Sequence, residues 1–135
     1  DGDGDLDLAL TGGSADGMHH LLINSQAGER ARRSLQVLVL DADGHYTRPG
    51  AEVRLFDAAS GALLGTSIVD TGSGYNSQNA MPVHFGLARN GLVDVEVTTL
   101  TRQGRKRARL SGVDPGSWVG RWLVVKVDEY GDLRQ

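Results

Sequence analysis

From Leu92 to Thr99 the chain reads LVDVEVTT, with Val93, Val95 and Val97 alternating against Asp94, Glu96 and Thr98. A period of two sends successive side chains to opposite faces of an extended backbone, so this stretch can bury one face only as a β-strand. The same period governs Ala51 to Phe56, where Ala51, Val53 and Leu55 point inward and Glu52 and Arg54 outward. Ser34 to Leu40, SLQVLVL, is apolar at nearly every position, which predicts a strand buried on both faces. Leu63 to Val69, Pro82 to Phe85, Arg105 to Leu110 and Arg121 to Val127 supply the rest. Turn signals such as Asp41-Ala42-Asp43-Gly44 separate them, and no segment has a helical period. The predicted fold is all-β, a sandwich of about seven to eight strands.

Composition agrees with that fold and narrows the function. Nineteen glycines suit many tight turns, and 39% hydrophobic residues with 5% aromatics suit a small core of Val and Leu. The chain has no cysteine, so neither disulfides nor a thiolate zinc site can form. A net charge of -3 argues against nucleic acid as a partner, and no run is long enough for a membrane-spanning helix.

The N-terminal segment DGDGDLDLAL places Asp1, Asp3, Asp5 and Asp7 at every second position with glycines between. Hard divalent cations take about six to eight oxygen ligands, and an Asp-rich turn can fold carboxylates and carbonyls around one ion. The segment is therefore read as a calcium loop, the alternative being an acidic terminus that holds no ion. It lacks the Glu and flanking helices of an EF-hand and passes into two strand-like runs, LDLAL and MHHLLIN. This resembles the last blade of an FG-GAP or VCBS-type β-propeller, whose hairpin loops bind calcium. The resemblance implies side-chain ligation by Asp1, Asp3 and Asp7 and a backbone carbonyl from Asp5. It also places the first ligand two residues before Asp1, so the chain is expected to be part of a longer protein and its calcium binding weak.

Apolar residues vanish in SQAGERARR, Ser25 to Arg33, which reads as a linker. The expected domains are 1–28, a propeller remnant, 29–127, the sandwich, and 128–135, a tail adding little. Within the sandwich, Gly74, Tyr75, Ser77 and Gln78 are followed by His84-Phe85-Gly86-Leu87 and then Val95-Glu96-Val97, after the upstream run PGAEVRLF. These motifs resemble the ASPIC/UnbV domain of the cartilage acidic protein-like family, over roughly three quarters of the chain. That family places such a domain after an Asp-rich propeller. Two departures stand out: Ala88 replaces the family's second glycine, and Thr98 to Gly104 lacks its Arg-Trp-Pro-Ser-Gly.

The loop around Tyr75, Asn76, Ser77 and Gln78 offers hydroxyls and amides, suited to a neutral polar ligand or to the loop's own backbone. The structural reading is preferred, with Tyr75 as a corner tyrosine closing the core and Gln78 pinning an edge. Ser77 is on no nucleophile elbow, and His84 is read as a hydrogen-bonded structural histidine on the face opposite Val83 and Phe85. His19 and His20 are adjacent and His45 stands alone in a turn, so no zinc constellation is expected. Arg105, Arg107 and Arg109 form a basic stripe, which guards an edge strand or meets phosphates or an acidic glycan. Trp118 and Trp122 lie four apart, one expected in the core.

The function expected is a non-catalytic binding or adhesion module, secreted or periplasmic, ending a calcium-binding propeller protein. Its partners would be the rest of that propeller and a protein or glycan ligand. The alternatives are a carbohydrate-binding or accessory module of a secreted enzyme, and a transthyretin-like sandwich, whose rhythm residues 50–75 share.

Overall fold

The structure, a computed structural model, describes residues 1–12, 17–26, 28–46, 48–72, 74–75, 77–79 and 82–128, with the backbone of 133–134. Its strands are β1 (Leu8–Thr11), β2 (His19–Leu22), β3 (Ser34–Asp41), β4 (Glu52–Asp57), β5 (Leu63–Ile68), β6 (Val83–Gly86), β7 (Val93–Thr101), β8 (Gly104–Val113), β9 (Trp122–Val127) and β10 (Leu133–Arg134). They form a hairpin, β1-β2, and two four-stranded sheets ordered β10-β9-β3-β6 and β5-β4-β7-β8. The predicted all-β sandwich is what the chain adopts.

Alternation decides which side chains meet between the sheets. Leu35, Val37 and Val39 of β3, Val83 and Phe85 of β6, and Leu123, Val125 and Val127 of β9 form one layer. Val53 and Leu55 of β4, Val93, Val95 and Val97 of β7, and Val113 of β8 belong to the same buried cluster from the other sheet. β3 lies between β9, to which it runs parallel, and β6, to which it runs antiparallel. Leu38 and Leu40, on its other face, are also buried, as the continuous apolar run predicts. Trp118, in a 3-10 turn over Pro115–Trp118, packs against the core, while Trp122 is 48% exposed.

Two connections carry structure that the sequence pattern does not mark. Residues 25–33 include a one-turn helix, α1 (Gly28–Ala31), and Ala31 is buried at 1% exposure. One small side chain among charged ones hides this anchor from any hydropathy pattern. At the C-terminal end Leu133 and Arg134 pair with Val127 and Lys126 as an edge strand.

The outer face of the second sheet carries paired charge. Arg105 lies 3.5 Å from Glu52, Arg107 3.7 Å from Glu96, and Arg109 3.0 Å from Asp94. Arg54 contacts Glu52 and approaches Glu96 to 4.0 Å. The basic stripe of β8 thus meets acidic partners within its own sheet, because the register sets Arg107 opposite Thr98 and Arg109 opposite Glu96.

Candidate metal centre and hallmark loop

Residues 1–7 form a loop held by their own carboxylates. The Asp3 amide donates to Asp1 Oδ1 at 3.1 Å and the Asp5 amide to Asp3 Oδ1 at 3.0 Å. Each turn needs the intervening glycine, and Gly2 and Gly4 have φ of 81° and 112°, which side chains other than hydrogen rarely adopt. The Asp1 nitrogen donates to Asp7 Oδ2 at 2.7 Å, and the Asn24 amide to Asp7 Oδ1 at 2.9 Å.

Asp5 has a different environment. Both carboxylate oxygens are buried, and the Gln26 backbone amide is the donor nearest to them. Burial, then the charges of Asp3 and Asp7, raise its pKa above the ordinary 3.8, a push that the backbone amide of Gln26 offsets only in part. A desolvated carboxylate beside two others is costly unless a cation joins it, and in chemistry, though not in its present spacing, an all-carboxylate set suits a hard divalent ion. An ion would draw on Asp1, Asp3, Asp5 and Asp7, whose carboxylates here do not converge on one point: Asp7 accepts from the Asp1 nitrogen and the Asn24 amide, and Asp1 and Asp3 accept the amides of Asp3 and Asp5.

Among the described residues, the ligand-type side chains lying within 4.8 Å of one another are Asp41, Asp43 and His45. The sequence reading treated His45 as solitary, because a strand-based view does not see a tight turn bring positions two apart together. In this turn Asp41 Oδ1 accepts the amides of Asp43 at 3.0 Å and His45 at 2.8 Å, and Asp43 and His45 are exposed. Closing the β3 turn accounts for the arrangement.

In the hallmark loop Ser77 folds back on Gly74. Its Oγ accepts the Gly74 amide at 2.7 Å and donates to the Gly74 carbonyl at 2.9 Å. Asn79 closes the loop base, its Nδ2 donating to Asp70 Oδ1 at 2.6 Å. Asn76 lies outside the described residues. Gln78 is exposed, and Tyr75 is 96% exposed, so its ring does not close the core as a corner tyrosine would.

His84 occupies the outer face of β6, opposite Val83 and Phe85. Its Nε2 lies 3.0 Å from the carbonyl oxygen of Gly4, joining the sandwich to the acidic loop. No sequence pattern links residues 80 positions apart, so this contact was not legible beforehand. The hydroxyl of Ser77 and the Nε2 of His84 therefore have separate main-chain partners.

A cleft of about 540 Å³ lies where α1 meets the loops after β6 and β8, lined by Arg32, Arg33, Leu87, Asn90, Asp114 and Pro115 among others. Arg33 Nη1 donates to the Ala88 carbonyl at 2.9 Å, which fixes one wall. The sequence reading did not find this cleft, since its residues come from three separate connections.

Over 98 residues, 73% of its length, the chain is similar to Cartilage acidic protein 1 of Mus musculus (38% identical), Homo sapiens (37%) and Xenopus tropicalis (36%). The matched stretch is 15% of the mouse protein and 14% of the other two, so the chain spans a small part of the curated relatives it matches. No family model matches the chain, and no solved structure matches it.

Proposed function

We propose that the chain is a non-catalytic extracellular binding module: an ASPIC/UnbV-like sandwich that follows the last calcium-binding hairpin of an FG-GAP/VCBS-type β-propeller. The observation that carries this reading is the β1-β2 hairpin. Leu8, Leu10, Leu21 and Leu22 are 44% to 66% exposed, and the ribbon pairs with no further strand among the described residues. A two-stranded apolar ribbon is barely stable alone in water, and open edges invite strand neighbours. Neighbouring propeller strands would supply that cover.

The similarity to Cartilage acidic protein 1 supports a place outside the cell, as a secreted or periplasmic protein, and the matched stretch is a small part of those larger chains. The partner would be a protein or a glycan. A bound calcium ion would supply the positive charge that the buried Asp5 carboxylate lacks. Calorimetric titration with calcium chloride tests the loop: weak binding, near millimolar, is expected, and Asp3→Ala should abolish it. No heat up to ~10 mM calcium, well above the weakest extracellular sites, would remove the metal from this account.

A second reading, a carbohydrate-binding or accessory module, is favoured by Trp122, whose ring is about half exposed. Aromatic faces of this kind stack on sugars. A glycan array tests it, with Trp122→Ala expected to erase any signal.

A further inference from the structure

The acidic loop precedes every strand, yet the middle of it is buried. A Cβ at Gly4 would lie 2.6 Å from the Ala31 carbonyl oxygen and 3.0 Å from Ser34 Oγ. The Gly4 carbonyl meets His84 Nε2 at 3.0 Å, and since a carbonyl only accepts, the ring nitrogen there is the donor. At a third place, a Cβ on Gly120 would lie 2.8 Å from the Gly2 carbonyl oxygen. The α1-β3 junction, β6 and the turn before β9 thus close on two adjacent glycine positions of one loop.

We propose that the sandwich is the mould of the acidic loop, with His84 and Gly120 as positioning residues that fix the backbone between Asp1 and Asp5. Four carboxylates within seven residues repel one another, and a free segment of this kind would spread rather than keep a concave form. Holding Gly2 and Gly4 against the sandwich pre-orders Asp3 between them and Asp1 and Asp5 on either side, so that a cation pays less to organise its ligands. The docking stands on the contacts alone, while its effect on calcium affinity rests on the calcium reading above. Groups that orient metal ligands commonly change affinity by about 10- to 100-fold when removed.

The test separates docking from backbone strain. Gly120 and Gly112 have nearly the same positive φ, 69° and 70°, but a Cβ at Gly112 meets nothing within 4 Å. Gly120→Ala and Gly112→Ala therefore strain the backbone alike, and only the first strikes the loop. Amide hydrogen exchange without calcium is expected to show the Asp5 and Asn24 amides exchanging about tenfold faster, relative to core amides, in Gly120→Ala than in Gly112→Ala. His84→Ala should act like Gly120→Ala, and His84→Gln, which restores an N–H donor, should recover part of the protection. In calorimetry, calcium affinity should fall about tenfold in Gly120→Ala and stay unchanged in Gly112→Ala. Equal loop exchange in the two glycine variants would overturn the docking, and equal affinity would overturn its effect on the ion. A wild type that takes up no calcium, with loop exchange still responding to Gly120→Ala, would remove the calcium reading while supporting the docking.

Discussion

The ring of Phe85 lies across Gly65, so close that a Cβ at Gly65 would sit 3.1 Å from Phe85 Cδ1. Phe85 belongs to β6, an edge of one sheet, and Gly65 to β5, an edge of the other. The aromatic ring therefore bridges the open side of the sandwich, filling a gap that only a residue without a side chain leaves. Phe85 is 8% exposed, in a core otherwise made mostly of Val and Leu.

Truncating that bridge should be the costliest single change tried here. Phe85→Ala should lower stability by about 3 to 5 kcal/mol, through lost burial and the cavity it leaves. Arg107→Ala should cost below about 1 kcal/mol, because the Arg107 side chain is itself mostly exposed and Arg54 remains near the buried Glu96 carboxylate. Urea unfolding of the two variants checks this. Equal midpoint shifts would mean that the faces of β6 and β8 were misassigned.

Filling the gap should also destabilise, by the opposite mechanism. Gly65→Ala presses a methyl group against an aromatic ring that is held by the other sheet, an overpacking worth about 1 to 3 kcal/mol. The double variant Gly65→Ala, Phe85→Leu should recover part of the loss if the clash is its source. A double variant as unstable as the sum of the singles would place the strain in the backbone instead.

Much of this fold was legible because strands announce themselves by alternation. The runs containing Val53 and Leu55, and Val93, Val95 and Val97, have inner and outer faces that differ at each step, so the buried set followed directly. Ala31 escaped because burial of one alanine between arginines leaves no periodic trace. Tyr75 was placed wrongly because a motif fixes residue order and not ring direction. The tie between His84 and Gly4 escaped for a different reason, as it depends on where a loop comes to rest on a sheet formed far along the chain. The acidic loop could be read as chemistry from its sequence, but the groups that hold it in place could not.

Asp57 gives the chain a defined acid sensitivity. Its carboxylate accepts the amide and hydroxyl of Ser60, both at 2.8 Å, and Arg89 Nη2 at 2.8 Å, tying the β4-β5 turn to the loop after β6. The Ser60 amide first, then its hydroxyl and Arg89, lower the pKa from 3.8 to about 2. A depressed folded value means that the stabilisation is fully present above pH 3.8 and is lost as pH falls toward 2. Asp57→Asn should flatten the pH dependence of the unfolding midpoint across that window. Carbon-detected NMR titration of Arg89→Ala should still find Asp57 below its ordinary value, since the Ser60 donors remain. A return to 3.8 would make the arginine the main cause.

The last prediction separates a structural Ser77 from a nucleophilic one. Its Oγ both accepts from and donates to Gly74, while His84 Nε2 is engaged with Gly4, so His84 is not aligned on the hydroxyl as a general base. A serine-directed fluorophosphonate probe should therefore leave Ser77 unlabelled in the wild type. Ser77→Ala should loosen the 74–77 turn, costing about 1 kcal/mol because the residue is exposed and water can replace the lost partners. Ser77→Thr keeps the hydroxyl and should retain most of that stability. Labelling of Ser77 that disappears in His84→Ala would mean that the two side chains leave Gly74 and Gly4 to meet each other, and the non-catalytic reading would fall with that result.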